Sequence, residues 1–151
     1  MSTAGPDIKH LDDVLVLTSP GGDLLAVACD SLGAVGPKPL DRVKVPGYVV
    51  GRFACRVPLM ELLALGATPL VVVNALAVEP SPTGEDITRG VRAEMRAAGL
   101  DPDLSLTGSS EKNVTTSQTG LGIIALGVFG PTGPRWALAR EGDVIVAVGE
   151  P

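Results

Sequence analysis

The chain has 151 residues, 45% of them hydrophobic, enough for one domain with a substantial core and too few for two. Its net charge is −5, and no Lys/Arg cluster or aromatic platform appears, which argues against nucleic acid as the main partner. With 3% aromatics the core must be built from Val, Leu, Ile and Ala, a composition that favours a sheet with helices packed on it.

Residues 1–10 read as an N-terminal tail, with Met1–Lys9 a loose or edge segment, and residues 11–151 as one domain. Asp12-Asp13 leads into a predicted strand, Val14–Leu17, and Ser19–Asp23 is a turn. The apolar run from Leu24 then delivers Asp30 to the edge of the core, where the acid either caps a turn or serves a site. As a hairpin these two strands bring Asp12, Asp13 and Asp30 together, because the start of one antiparallel strand lies beside the end of the next. Gly33–Pro46 is long for a connection without structure and reads as either a mobile functional segment or a solvated linker.

Tyr48–Leu65 has helical spacing, with Val49, Phe53, Val57, Met60 and Ala64 as its apolar stripe, Pro58 as an interruption and Gly66 as its stop. Glu61 is the one acid in this helix, so it either faces water or pairs with a cation. Leu70–Val78 is a strand, and Ser81–Asp86 starts a second helix whose inner stripe is Ile87, Val91, Met95 and Ala98. Arg89, Arg92 and Arg96 read as its solvated face. Asp103–Leu106 is a short strand, Thr107–Thr119 the most polar stretch of the chain, and Leu121–Val128 and Val144–Val148 the last strands. The expected architecture is α+β: a mixed, largely antiparallel sheet with two main helices on one face. Strands this apolar need the other face covered, which predicts a homodimer.

No segment is long and apolar enough to span a membrane, and the N-terminus has no long apolar stretch, so a cytoplasmic protein with no membrane partner is expected. Cys29 and Cys55 lie in apolar segments without metal-site spacing and read as buried, reduced thiols. The single histidine, His10, falls in the tail, and no Ser-His-Asp arrangement is present. Carboxylates stand at the ends of apolar elements: Asp12 and Asp13, Asp30, Glu61 and Glu111. Such oxygens are hard ligands suited to Mg²⁺, and acids brought together without a cation would repel one another. Thr107–Asn113 offers backbone N–H groups, hydroxyls and Lys112 to phosphate oxygens without the spacing of a Walker A loop. Metal-assisted phosphoryl chemistry is the reaction class that these residues support.

The stretches Leu11-Asp12-Asp13-Val14-Leu15-Val16-Leu17, Ala28-Cys29-Asp30, Pro58 to Pro69 (with its Gly66-Ala67-Thr68-Pro69 turn) and Thr107-Gly108-Ser109-Ser110-Glu111 resemble the N-terminal domain of the aminoimidazole ribonucleotide (AIR) synthetase superfamily. That superfamily includes thiamine-monophosphate kinase, selenophosphate synthetase and a hydrogenase-maturation protein. The likeness runs from about Leu11 to Val148. It implies an ATP- and Mg²⁺-binding domain whose sheet closes into a barrel with that of a second copy, nucleotide lying near the interface. Metal ligation carries over onto Asp12, Asp13, Asp30, Glu61 and Glu111, and nucleotide contact onto Asp12, Asp13, Asp30, Thr107, Gly108, Ser109, Ser110 and Lys112; no catalytic residue is assigned. Thiamine-monophosphate kinases carry aspartate where this chain has Glu61 and Glu111, and asparagine near Pro58, so its metal geometry departs from theirs. The Thr107–Asn113 loop and Gly51-Arg52-Phe53 look closer to the α-ribazole kinase branch. The implied function is phosphoryl transfer to a vitamin or nucleoside-like acceptor, of the α-ribazole or thiamine-monophosphate type. The second domain usual in the superfamily would begin near Pro151, so a separate C-terminal domain or chain is an expected partner. The alternative reading is a non-catalytic dimeric nucleotide-binding or scaffold module.

Overall fold

The computed structural model describes residues 7–149; residues 1–6 of the predicted tail and the chain end at 150–151 lie outside the described residues. The elements are β1 (Ile8–Leu11), β2 (Val14–Thr18), β3 (Leu24–Gly33), β4 (Val35–Gly36), β5 (Val43–Lys44), α1 (Gly47–Ala64), β6 (Ala67–Leu76), α2 (Glu85–Ala97), α3 (Pro102–Ser105), β7 (Leu106–Ser110) and β8 (Gly120–Phe129). Six strands form one sheet in the order β1-β2-β3-β8-β6-β7. The β6–β7 pair is parallel and the other neighbours in that sheet are antiparallel. This is the expected α+β architecture, with α1 and α2 layered on one face.

Strand alternation decides which side chains the helices cover. Val14, Val16, Ala26, Ala28, Ile123 and Ala125 point beneath α1 and α2 and are almost fully buried. Their neighbours Leu17, Leu25, Val27, Ile124 and Leu126 point to the opposite face, where they are only partly buried and no helix of the described residues lies over them. No helix among the described residues is long and apolar enough to cross a membrane.

Helix α1 presents a different face from the one its large apolar residues suggest. Phe53, Val57 and Met60 of the predicted stripe are 56%, 41% and 60% exposed. The buried face instead carries Val50, Gly51, Ala54, Cys55, Leu59 and Leu62, and the helix runs through Pro58 without a break. Both faces are apolar, so periodicity alone does not choose between them. Small residues choose, because they let α2 approach the α1 backbone. A Cβ built on Gly51 would lie 2.9 Å from the Ile87 carbonyl carbon, and one on Gly90 would lie 2.9 Å from the Arg52 nitrogen. Glu94, 8% exposed, then locks the crossing by accepting hydrogen bonds from Arg52 Nε (2.8 Å) and Arg56 Nε (2.6 Å). These guanidinium groups hold its carboxyl below the ordinary range against the opposing effect of burial. The α2 stripe of Ile87, Val91 and Met95 is fully buried, as its spacing predicts.

Four other segments depart from the sequence reading. Asp103–Leu106 is not a strand: Asp101 accepts from the Asp103 N–H at 2.9 Å and, with Pro102 beside it, starts the helical turn α3. The strand begins at Leu106 and absorbs Thr107–Ser110, so the start of the predicted polar stretch is β7. Val144–Val148 forms no strand; Val144, Ile145, Val146 and Val148 are 77–96% exposed, and no described strand pairs with them. Gly33–Pro46 is not a bare linker. Val35–Gly36 pairs with Val43–Lys44, and the buried Asp41 accepts from Lys38 N (2.8 Å), Thr119 N (2.7 Å) and Thr119 Oγ1 (2.7 Å). Lys38, itself buried, makes an ion pair with Glu79. Cys55 is buried, and its thiol is pushed up to about 12 by burial and the Glu94 charge, whereas Cys29 is exposed, contrary to expectation. Cys29 points to the face that no helix covers, because it sits one residue out of phase with Ala28.

Candidate functional site

The carboxylates come from three places in the fold. Asp12 and Asp13 form the two-residue turn between β1 and β2, with Leu11 paired to Val14 across it. Asp12 has φ 57, a left-handed conformation that aspartate tolerates better than most residues. Asp30 does not end its strand: it lies inside β3, paired with Ile123, and the strand continues to Gly33. It shares the helix-facing side with Ala26 and Ala28 but lies beyond the packed core, half-buried. Extending the Leu15↔Val27 register toward the turn sets Asp12 and Asp13 beside Cys29 and Asp30. Glu61 approaches from the last turns of α1.

These four acids share one rim. Burial raises the Glu61 pKa, and Asp13, Asp30 and Asp12 raise it further in that order. Its Oε2 is buried with no hydrogen-bond partner. A buried, unpartnered carboxylate oxygen facing three more acids is a donor set that a hard divalent cation would satisfy. As placed, no three His, Cys, Asp or Glu side chains among the described residues stand close enough together to hold one ion. Asp12 and Asp13 are exposed at the turn. In metal-free buffer, Glu61→Gln is expected to raise the thermal midpoint by roughly 2–4 °C, the effect of about 1 kcal/mol in a chain of this size, because it removes repulsion without changing shape. A thermal melt checks this, and an unchanged or lower midpoint would mean that the four acids do not strain one another.

The polar segment stands elsewhere. Asp30, Ile123, Asn74 and Gly108 occupy one row across the sheet, so Asp30 and Gly108 are three strand steps apart, about 14 Å at the usual strand spacing. Thr107, Gly108, Ser109 and Ser110 lie on the edge strand β7, and Glu111 and Lys112 follow it. Glu111 turns back on its own loop and accepts from Asn113 N at 2.6 Å, which holds its carboxyl below the ordinary range. One chain thus gathers Asp12, Asp13, Asp30 and Glu61, and leaves Glu111, Lys112 and Thr107–Ser110 at the opposite edge.

That edge contains groups that sequence reasoning passed over. A cavity of about 340 Å³ between α2 and β7 is lined by Asn74, Thr88, Arg92, Ser109, Ser110 and Lys112, among others. A neighbouring cavity of about 360 Å³ shares Leu76, Thr88, Arg92 and Ser110 with it and adds Arg89 and Arg96. The arginines repeat at the spacing of an outer helix face, and nothing in one dimension shows that β7 ends beside them.

A family model described as AIR synthase related protein, N-terminal domain, matches residues 11–130. The chain belongs to this family. Solved structures agree at the level of fold. The thiamine-monophosphate kinase of Stenotrophomonas maltophilia is 22% identical with a TM-score of 0.57, over 85% of this chain and 39% of that one. AaThiL, solved with AMPPCP and TMP, is 16% identical with a TM-score of 0.59, over 79% of this chain and 36% of that one. Thermotoga maritima PurL, solved with ADP, is 16% identical with a TM-score of 0.54, over 80% of this chain and 20% of that one. The AIR synthase domain described here therefore spans 39% or less of the length of each of these proteins. No curated protein matches it in sequence.

Proposed function

We propose that this AIR synthase domain binds ATP through Mg²⁺ at the rim formed by Asp12, Asp13, Asp30 and Glu61, as the nucleotide-binding part of a small-molecule kinase or synthetase. The acceptor class is a vitamin or nucleoside-like molecule of the α-ribazole or thiamine-monophosphate type. The observation that carries this reading is Glu61 Oε2, buried without a partner and facing three aspartates. The neighbours solved with AMPPCP or ADP support a nucleotide on this fold. Bound there, Mg²⁺ would neutralise phosphate oxygens during phosphoryl transfer. The protein's part is positional: the β1–β2 turn holds Asp12 and Asp13, the β3–β8 ladder fixes Asp30, and α1 aims Glu61.

Asp30→Asn is expected to weaken Mg–AMPPCP binding at least about tenfold, since a charge-assisted ligand becomes a neutral amide of the same shape, while the melting curve stays in place. Calorimetric titration with and without Mg²⁺ checks this; nucleotide affinity that ignores both the metal and the substitution would overturn the reading.

We also propose that a second copy covers the open face of the sheet, where Leu25, Val27, Ile124 and Leu126 stand. In a shared barrel the polar β7 edge of one copy could approach the acid rim of the other and give Ser109, Ser110, Glu111 and Lys112 access to the same nucleotide. Sedimentation velocity is expected to show a dimer at micromolar concentration, and Val27→Asp a monomer; a monomer without the substitution would remove the shared barrel. With Cys29 and Cys55 both free, a reducing compartment, the cytoplasm, is the proposed location.

A further inference from the structure

We infer that a cavity walled by Trp136 binds a small, neutral, monocyclic aromatic molecule that carries a hydroxyl group. The site stands apart from the proposed nucleotide rim and uses none of its acids. It lies where β1, β2 and the start of β3 meet the segment that follows β8, and its volume is about 270 Å³. Its apolar walls are Leu11, Val16, Leu24, Pro134 and Trp136. Leu11 and Leu24 also pack against the main core, so the floor of the cavity is continuous with it. Main-chain hydrogen bonds hold the walls in place. Thr18 N donates to the Asp7 carbonyl at 3.0 Å and closes β1 on β2, and Arg135 N donates to the Leu65 carbonyl at 2.8 Å and ties residues 134–136 to the end of α1. A ligand therefore meets a preformed hollow and has little of the chain to order.

The lining selects the ligand. Trp136 is the only tryptophan of a chain with 3% aromatics, and it lines this hollow while 46% exposed instead of filling the core. An apolar cavity of about 150 Å³ is enough for benzene, so this one admits a single ring with a short substituent. The flat faces of the indole and of Pro134 favour a planar ring over a puckered one. The charged residues of the lining are Asp7 and Lys9, which pair with each other at 3.4 Å, so the lining has no net charge and favours neither an anion nor a cation. Thr18 is its one uncharged polar side chain, with a hydroxyl that can donate to or accept from a single ligand hydroxyl.

The test uses the whole chain, without nucleotide or Mg²⁺, titrated with benzyl alcohol, cyclohexylmethanol and glycerol and followed by nuclear magnetic resonance. The single tryptophan gives one indole N–H signal, which reports on the site directly. Benzyl alcohol is expected to move that signal and the amides of Val16 and Thr18, with a dissociation constant on the order of 1 mM, while the amides of Asp30 and Ser109 stay in place. Cyclohexylmethanol should bind at least about threefold more weakly, and glycerol not at all. Thr18→Val keeps the shape and removes the hydroxyl; it is expected to weaken benzyl alcohol about threefold to tenfold and to leave toluene unchanged. Trp136→Ala is expected to weaken benzyl alcohol at least about fivefold, read at the Val16 amide. Trp136 lies outside the strands and is nearly half exposed, so the fold should survive, and an unchanged melting curve checks it. Absence of a saturable shift at millimolar benzyl alcohol, equal affinity for cyclohexylmethanol, or affinity unaffected by either substitution would each overturn the inference.

Discussion

Gly90→Ala is expected to destabilise the domain by about 3 kcal/mol, the upper end of the usual overpacking cost, and so to remove a large share of a typical folding free energy. The added methyl would stand 2.9 Å from the Arg52 nitrogen and 2.9 Å from the Tyr48 carbonyl carbon. These are backbone atoms of α1, so no side chain can turn aside. The helices must separate, and Ile87, Val91 and Met95, fully buried at this contact, would lose packing along α2. Alanine gains about 1 kcal/mol over glycine in helix propensity, which is too little to compensate. Gly51→Ala should behave alike, its new methyl meeting the Ile87 carbonyl carbon at 2.9 Å. Urea unfolding of each variant measures the loss; stability equal to or above that of the unmodified chain would mean that the crossing is looser than described.

Lys38→Met is expected to cost about 3 kcal/mol at neutral pH, because it strands a largely buried carboxylate whose partner was itself buried. Burial alone would raise the Glu79 pKa. Hydrogen bonds from Lys38 and Thr83 outweigh it and hold the carboxyl at about 2 instead of 4.5. Thr83 Oγ1 remains as a donor at 2.5 Å in the variant, which keeps the cost at the lower end for a broken buried pair. The sign of the pH effect follows from the depressed value. Glu79 contributes its full stability above pH 4.5, and that contribution is lost as the pH falls toward 2. The variant should therefore show a flatter acid limb over that window, and Lys38→Met with Glu79→Leu should recover much of the loss. Stability profiles of the three proteins that run parallel between pH 4.5 and 2 would show that the pair contributes nothing.

The sheet and both helices were legible because their signals are local. Apolar runs between turns marked β2 and β8, and Ile87, Val91 and Met95 marked the inner side of α2. The α1 face was not legible, because Phe53, Val57 and Met60 outweigh Gly51, Ala54 and Cys55 in any count of hydrophobicity, and only a second helix in three dimensions rewards smallness. The Asp101-Pro102 start of α3 was available as a capping signal but was hidden beside a short apolar run. The order of the Gly33–Pro46 loop could not be read, since it depends on Glu79 and Thr119, far along the chain. Three acids were placed at one rim by hairpin logic, although the relevant turn joins β1 to β2 and Asp30 lies within its strand. The arginines of α2 have the spacing of a plain solvent-facing helix side, and only the fold sets the end of β7 beside them.

The carboxylate rim and the arginine-lined cleft stand three strand steps apart across the sheet, and Thr88, Arg92 and Arg96 belong to a helix that contributes none of the four acids. Exchanges on that outer surface can accumulate over generations without touching the aspartates. A lineage built on this scaffold is thus able to vary the α2 surface while the four acids stay as they are.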